Sequence, residues 1–250
     1  MVSALNEFDA NATGFFDNDL AAAAGAAEGE AWQRLSEGHF TAALLAADLA
    51  LNLYAELTGK RSGKWHEIQY LRAMLLNRLG RSAEALPIAK SAEEAMSALP
   101  DLGPNHPSTL ASRYLVALLL GALGRNEEAL PIAEDVANVM SVHPDLGPNH
   151  QNTLVSRCLV AEILGDLGRN EEALPIAEDV AKAMSAHPDL GSSHPDTLAS
   201  RYLVAKIVGA LGRNEEALPV ADTVDDPEIR ASGPPAKPPE VEHPSEVALD

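Results

Sequence analysis

Residues 123–131 read LGRNEEALP, and the same nine letters return at residues 167–175 and 211–219, with the variant LGRSAEALP at residues 79–87. Each copy begins 44 residues after the one before. A fixed period of this length is typical of helix pairs that stack on one another in a solenoid. The repeat therefore predicts an all-α solenoid, a class of protein that usually binds partners rather than transforming substrates.

The similarity between copies extends well beyond these nine letters. Residues 102–136, 146–180 and 190–224 align without a gap, and weaker copies run from Gly59 and from about Leu20 to Leu57. Terminal copies are expected to diverge, because they have a neighbour on one side only. We predict five helix-turn-helix units at residues 20–58, 59–101, 102–145, 146–189 and 190–226. A flexible acidic segment at residues 1–19 and a disordered, Pro-rich acidic tail at residues 227–250 would flank them.

Each unit reads as two helices. In the third, Pro107 suits a first helical turn, Gly124 suits a helix end, and Asn126 is predicted to cap the second helix. Pro131 then falls inside that helix, where it removes a hydrogen bond. We expect either a kink or an irregular first turn there, and a kink at all four equivalent prolines: Pro87, Pro131, Pro175 and Pro219.

LGPNHPxTLxSR followed by LGRNEEALPIAE resembles the 42-residue tetratricopeptide repeats of kinesin light chains and of bacterial STAND-class signalling ATPases. The resemblance covers roughly residues 31–224. It implies a right-handed superhelix whose first helices line a concave groove, and it implies no catalytic residues.

The chain departs from that family in the groove, where relatives usually carry two asparagines after the Ser-Arg pair. Apolar or aromatic residues take their place, and YLVALLL at residues 114–120 is hydrophobic on every side of a helix. Either adjacent units pack tightly there, or an amphipathic helix covers the groove, from a partner or from Leu20–Ala27 of this chain. The predicted groove residues are Tyr114, Leu118, Cys158, Glu162, Tyr202 and Lys206.

Three arginines, Arg113, Arg157 and Arg201, recur in register along the first helices. Each could pair with a carboxylate of a neighbouring second helix, or the three could form a row that faces an anionic ligand. Glu162 and Lys206 lie one repeat apart and could pair across adjacent units or select a polar feature of a ligand.

The composition argues against several classes of partner. Thirty-seven acidic residues against 18 basic ones give a net charge of −19, which repels nucleic acid and anionic membranes. The N-terminal region lacks the basic start and the continuous apolar core of an ordinary secretory signal. No stretch is expected to reach the length of a membrane span. With one cysteine, Cys158, no internal disulfide forms, and a cytoplasmic location is expected.

Motifs for catalysis and metal binding are missing from the sequence. It contains no GxxxxGK[ST] loop, GxSxG elbow, HExxH pair or glycine-rich dinucleotide turn. No cysteine accompanies the five histidines of the loops between repeats, so neither a metal nor a cofactor is expected. These histidines are His106, His143, His150, His187 and His194. Cys158 lacks an evident base and should be a packed side chain.

These observations favour a non-enzymatic adaptor that binds a protein segment, either a peptide or an amphipathic helix, in a largely apolar groove. The alternative, from the resemblance, is a stand-alone sensor array of a STAND-type ATPase system. Self-association through exposed apolar ends is a further expectation.

Overall fold

The computed structural model describes residues 2–57 and 62–213, with side chains from Asp19 onward. Over these residues the chain forms helices and connecting turns and no strand, so the predicted all-α helical repeat array is confirmed. The predicted tenth helix and the tail at residues 227–250 lie outside the described residues. The helices are α1 (Val2–Ser36), α2 (Phe40–Leu57), α3 (Gly63–Arg78), α4 (Ser82–Ala98), α5 (Pro107–Ala122), α6 (Asn126–Val142), α7 (Gln151–Asp166), α8 (Asn170–Ala186) and α9 (Pro195–Ala210).

The chain divides into two compact units, residues 1–112 and 113–250. In the first unit, α1 packs against α2, α2 against α3, and α3 against α4. The helix α1 continues from Val2 through residue 19, so the predicted boundary there does not coincide with a helix end. Ala24 is fully buried within α1, and Ala43 and Ala47 are fully buried within α2. These small side chains suit a close approach of the two helices.

In the second unit, α7 lies against α6, α8 and α9. Because it has neighbours on three sides, most of its side chains are buried, including Leu154, Leu159 and Ile163. Each large aliphatic side chain removed from water contributes roughly 1.5–3 kcal/mol. Packing within and between repeats thus accounts for the many apolar side chains of α7.

Helix ends follow the repeated LGR sequence. Gly124 has φ 71°, and the Arg125 N–H donates to the Leu120 carbonyl at 2.9 Å, which closes a Schellman turn as expected for glycine after a helix. The prediction for Asn126 was wrong, because Arg125 occupies the N-cap position and Asn126 is the first helical residue. The Arg125 guanidinium instead bonds both carboxylate oxygens of Glu128 at 2.7 Å, so an ion pair braces the first turn.

The helices α4, α6 and α8 each run through a proline, at Pro87, Pro131 and Pro175. Helical residues begin five positions earlier in each case, so the alternative of an irregular start near the proline is wrong. The kinks stay a prediction, and Pro219 lies outside the described residues.

The loop histidines accept backbone hydrogen bonds in the turns between repeats. The Nδ1 atoms of His106, His150 and His194 accept the backbone N–H two residues ahead, at 3.1–3.2 Å, where the first helices begin. His143 and His187 accept the N–H of Asp145 and Asp189 in the same way. Their recurrence therefore has a structural cause, namely capping the backbone.

The expectation that no stretch reaches the length of a membrane span was wrong for α2. Over Phe40–Leu57 this helix has 18 residues of mean hydropathy 1.3, enough by length and composition to cross a membrane. Core helices of soluble proteins and N-terminal signal sequences share this length and composition. Leu45 and Leu49 of this helix are 67% and 53% exposed.

Candidate partner-binding surface on the first helices

The six predicted groove residues differ in exposure. Tyr114 and Cys158 are buried, at 4% and 7% exposure, whereas Leu118, Glu162 and Tyr202 are half-buried and Lys206 is exposed. The two buried side chains are core residues in this structure and offer little surface to a ligand. The assignment of the other four to a partner-binding groove stays a prediction.

Accessible positions follow a helical spacing on α5, α7 and α9. One position carries Leu118, Glu162 and Lys206 in successive repeats, and the position four residues later carries Ala122, Asp166 and Ala210. Residues four apart lie on the same side of a helix. We call these six residues the variable face, because their chemistry changes while the surrounding repeat sequence stays nearly constant.

An ion pair crosses this variable face. The Lys206 ammonium lies 2.9 Å from the Asp166 carboxylate, which joins α9 to the end of α7. Of the two possibilities for Glu162 and Lys206, a direct ion pair between them does not form, because the Lys206 ammonium contacts Asp166, one helical turn after Glu162. Selection of a polar feature of a ligand stays a prediction. Burial is the largest single influence and lowers the pKa of Lys206. The hydrogen bond to Asp166 and the charges of Asp166 and Glu162 together exceed it, so that the pKa is raised.

Glu162 is the group on this face without a direct counter-charge. Its carboxylate makes no hydrogen bond or ion pair with the described residues. Burial raises the pKa of Glu162 to about 7, the charge on Asp166 adds to the shift, and Lys206 opposes it. A carboxyl group in this state gains or loses its proton near neutral pH and responds to any charge placed beside it.

A cavity of about 170 Å³ opens between α5 and α7 beside Glu162. It is lined by Leu118, Asn126, Leu159, Glu162, Ile163 and Asp166. The Oδ1 atom of Asn126 is buried and has no hydrogen-bond partner among the described residues. Apolar walls thus surround a small number of oxygen acceptors, and we call this space the α5–α7 cavity.

Two of the three recurring arginines make ion pairs within their own repeats. Arg113 donates to Asp135 at 3.0 Å and Arg157 to Asp179 at 2.5 Å, each 22 residues ahead on the second helix. Arg201 makes no ion pair with the described residues, and the position 22 residues ahead, Thr223, lacks a carboxylate. The third arginine instead lines a cavity of about 680 Å³ between α8 and α9.

Cys158 is buried, and burial raises the pKa of its thiol far above the ordinary value. This environment suits the packed side chain that the sequence predicted. Within the part of the chain that the structure describes, His, Cys, Asp and Glu form no group of three that could hold a metal ion.

The sequence reasoning missed Asp166 and misassigned Asn126. The four-residue helical spacing from Glu162 could have identified Asp166. The position of Asn126 beside a cavity depends on how close α5 and α7 come: a Cβ atom on Gly121 would stand 3.6 Å from the Asn126 Oδ1 and 3.9 Å from Ile163. No local pattern gives that separation.

Part of the repeat array matches a known family. Residues 66–141 match the family model of the tetratricopeptide repeat. The predicted family is thereby confirmed for this region, while the link to STAND-class ATPases stays a prediction. No curated protein matched the sequence.

Solved structures share the helical repeat fold of this chain. A protein from Podosopora anserina with kinesin light chain nearly identical TPR-like repeats is 22% identical, with a TM-score of 0.63, over 82% of this chain and 94% of that one. BtubC (BKLC) from P. vanneervenii is 19% identical, with a TM-score of 0.61, over 88% and 84%.

A third similar structure is the Rap conjugation gene regulator of the plasmid pLS20 in complex with the Phr* peptide. It is 14% identical, with a TM-score of 0.66, and the match covers 85% of this chain and 54% of the regulator. At these identities the three likenesses show the fold of the repeat array.

Proposed function

We propose that this chain is a non-enzymatic adaptor that binds a protein segment across the first helices of its second unit. The observation that carries the proposal is the variable face. In nearly identical repeats, the accessible positions of α5, α7 and α9 present an apolar, an acidic and a basic side chain in succession. A surface that served packing alone would not need this change in chemistry.

The fold supports the same function. Tetratricopeptide arrays are generally scaffolds, and the similar Rap regulator was solved with a bound peptide. Solenoids present extended surfaces on rigid helices, which suits a peptide or a helix better than a small substrate. Because Tyr114 and Cys158 are buried, the proposed surface consists of the half-buried and exposed residues of the predicted groove.

The partner is a protein segment rather than a nucleic acid, because a chain of net charge −19 repels phosphate. A cytoplasmic location is part of the proposal. It is supported by a lone, buried cysteine, which is compatible with a reducing compartment.

The test is to pan a phage library of random 12-residue peptides on the full chain and on Lys206→Glu. Selected peptides should bind this variant at least about tenfold more weakly, because its charge reversal alters the variable face. Lys182→Glu on α8 is the matched control, since it reverses the same charge at an exposed position on a second helix. Circular dichroism checks that both variants remain helical.

Two outcomes would contradict the adaptor proposal. One is that no peptide is enriched on the folded chain. The other is that enriched peptides bind Lys206→Glu and Lys182→Glu equally well, which would place binding away from the variable face.

A further inference from the structure

The α5–α7 cavity has a size that suits one side chain. Its volume of about 170 Å³ exceeds the roughly 30 Å³ share of one water molecule and falls below the roughly 300–1,000 Å³ of sites for drug-sized ligands. Leu118, Leu159 and Ile163 supply apolar walls. An aliphatic stem with a polar head is therefore the ligand shape that the cavity fits.

The polar groups that line the cavity all offer oxygen acceptors. They are the carboxylates of Glu162 and Asp166 and the amide of Asn126. The buried Oδ1 of Asn126 lacks a hydrogen-bond partner among the described residues, and an unsatisfied buried acceptor costs about 1–3 kcal/mol. A donor that enters the cavity would remove this cost.

The charge balance beside the cavity also favours a cation. Lys206 already pairs with Asp166, whereas Glu162 has no direct partner within the described residues. A positive group at Glu162 would favour its ionised form and form a charge-assisted hydrogen bond.

We propose that the α5–α7 cavity holds the side-chain ammonium group of a lysine from the bound protein segment. The three N–H donors of an ammonium match three acceptors, one each from Asn126, Glu162 and Asp166, while the methylene stem lies against Leu118 and Ile163. The proposal rests on the adaptor function and adds the residue type that the partner presents.

The direct test uses n-butylammonium, which reproduces the end of a lysine side chain, and n-butanol as its neutral counterpart. In a titration of the full chain followed by ¹⁵N–¹H NMR, n-butylammonium should shift the amide signals of Gly121 and Ile163 saturably. Its dissociation constant should be on the order of 1–10 mM, as for a very small ligand. The neutral alcohol should leave these signals unchanged at the same concentration.

Two variants and their controls make the test specific. Glu162→Gln should weaken n-butylammonium binding about tenfold, whereas Glu171→Gln, which removes an exposed carboxylate on α8, should not. Gly121→Ala should weaken binding by narrowing the cavity, because the new methyl group stands 3.6 Å from the Asn126 Oδ1. Gly165→Ala places a methyl at the equivalent position of the next repeat and should leave binding unchanged.

The proposal is overturned if n-butanol produces the same shifts, if n-butylammonium produces none, or if Glu162→Gln binds n-butylammonium as the original chain does. These outcomes are separate from a failure of the adaptor function. Peptides selected by panning that lack any enrichment in lysine would contradict the lysine pocket while leaving the adaptor function intact. If the cavity binds n-butylammonium but panning selects no peptide, the adaptor function is contradicted while the ammonium site stands.

Discussion

The ammonium of Lys206 on α9 lies 2.9 Å from the carboxylate of Asp166 at the end of α7. This contact leaves Glu162, one helical turn earlier on α7, without a direct counter-charge among the described residues. The chemistry of the variable face follows from that arrangement, because Glu162 is half-buried beside a cavity and is the group most responsive to added charge.

Glu162 should make the stability of the chain depend on pH. Its pKa in the folded chain is about 7, above the value of about 4.5 expected in the unfolded chain. The folded state therefore binds the proton more tightly, and this stabilisation is complete below pH 4.5 and is lost as the pH rises through 7. Partial exposure screens the effect, so we expect it to be about 1–2 kcal/mol.

Glu162→Gln removes this dependence. The variant should match the original chain near pH 4 and exceed it by about 1–2 kcal/mol at pH 8, as measured by urea unfolding followed by circular dichroism. Glu171→Gln, which changes an exposed carboxylate, is the control. If Glu162→Gln and the original chain are equally stable at pH 8, the pKa of Glu162 is not raised.

Thr153→Val should stabilise the chain. Thr153 is fully buried, and its hydroxyl has no hydrogen-bond partner among the described residues. Replacing that hydroxyl with a methyl removes an unsatisfied polar group at nearly constant volume, so thermal unfolding should shift upward by the equivalent of about 1 kcal/mol. Thr197→Val tests the same position in the next repeat. A lower unfolding temperature in both variants would indicate that a bound water satisfies these hydroxyls.

His150→Ala should destabilise α7 by about 1 kcal/mol. The Nδ1 atom of His150 accepts the Asn152 N–H at 3.1 Å at the N-cap position, and alanine leaves that donor without a partner. His150→Ser restores an acceptor and should recover most of the loss, as thermal unfolding can measure. Equal losses for Ala and Ser would show that the ring acts through packing and not through capping.

The Cys158 thiol should react slowly in the folded chain. It is 7% exposed, and burial raises the pKa of the thiol, so little of it is ionised at pH 8. Ellman's reagent should label it at least about a hundredfold more slowly than in 6 M guanidinium. Comparable rates with and without denaturant would show that this part of α7 opens readily.

The predicted groove illustrates the limit of sequence reasoning. Tyr114 and Tyr202 occupy equivalent positions in near-identical repeats, yet Tyr114 is 4% exposed and Tyr202 is half-buried. A period of 44 residues fixes which positions are equivalent, but the exposure of each depends on the neighbouring helices. For this reason Tyr114→Lys would disturb the core, and Lys206→Glu is the better probe of the surface.

The repeated LGRNEEALP by itself determined the all-α repeat fold and the glycine at which each first helix ends. It could do so because helical periodicity, glycine turns and repetition are local properties of the chain. The tertiary structure alone decided that Lys206 pairs with Asp166 and that Asn126 lines a cavity. Those outcomes depend on the distance between helices, which the packing of many side chains sets together.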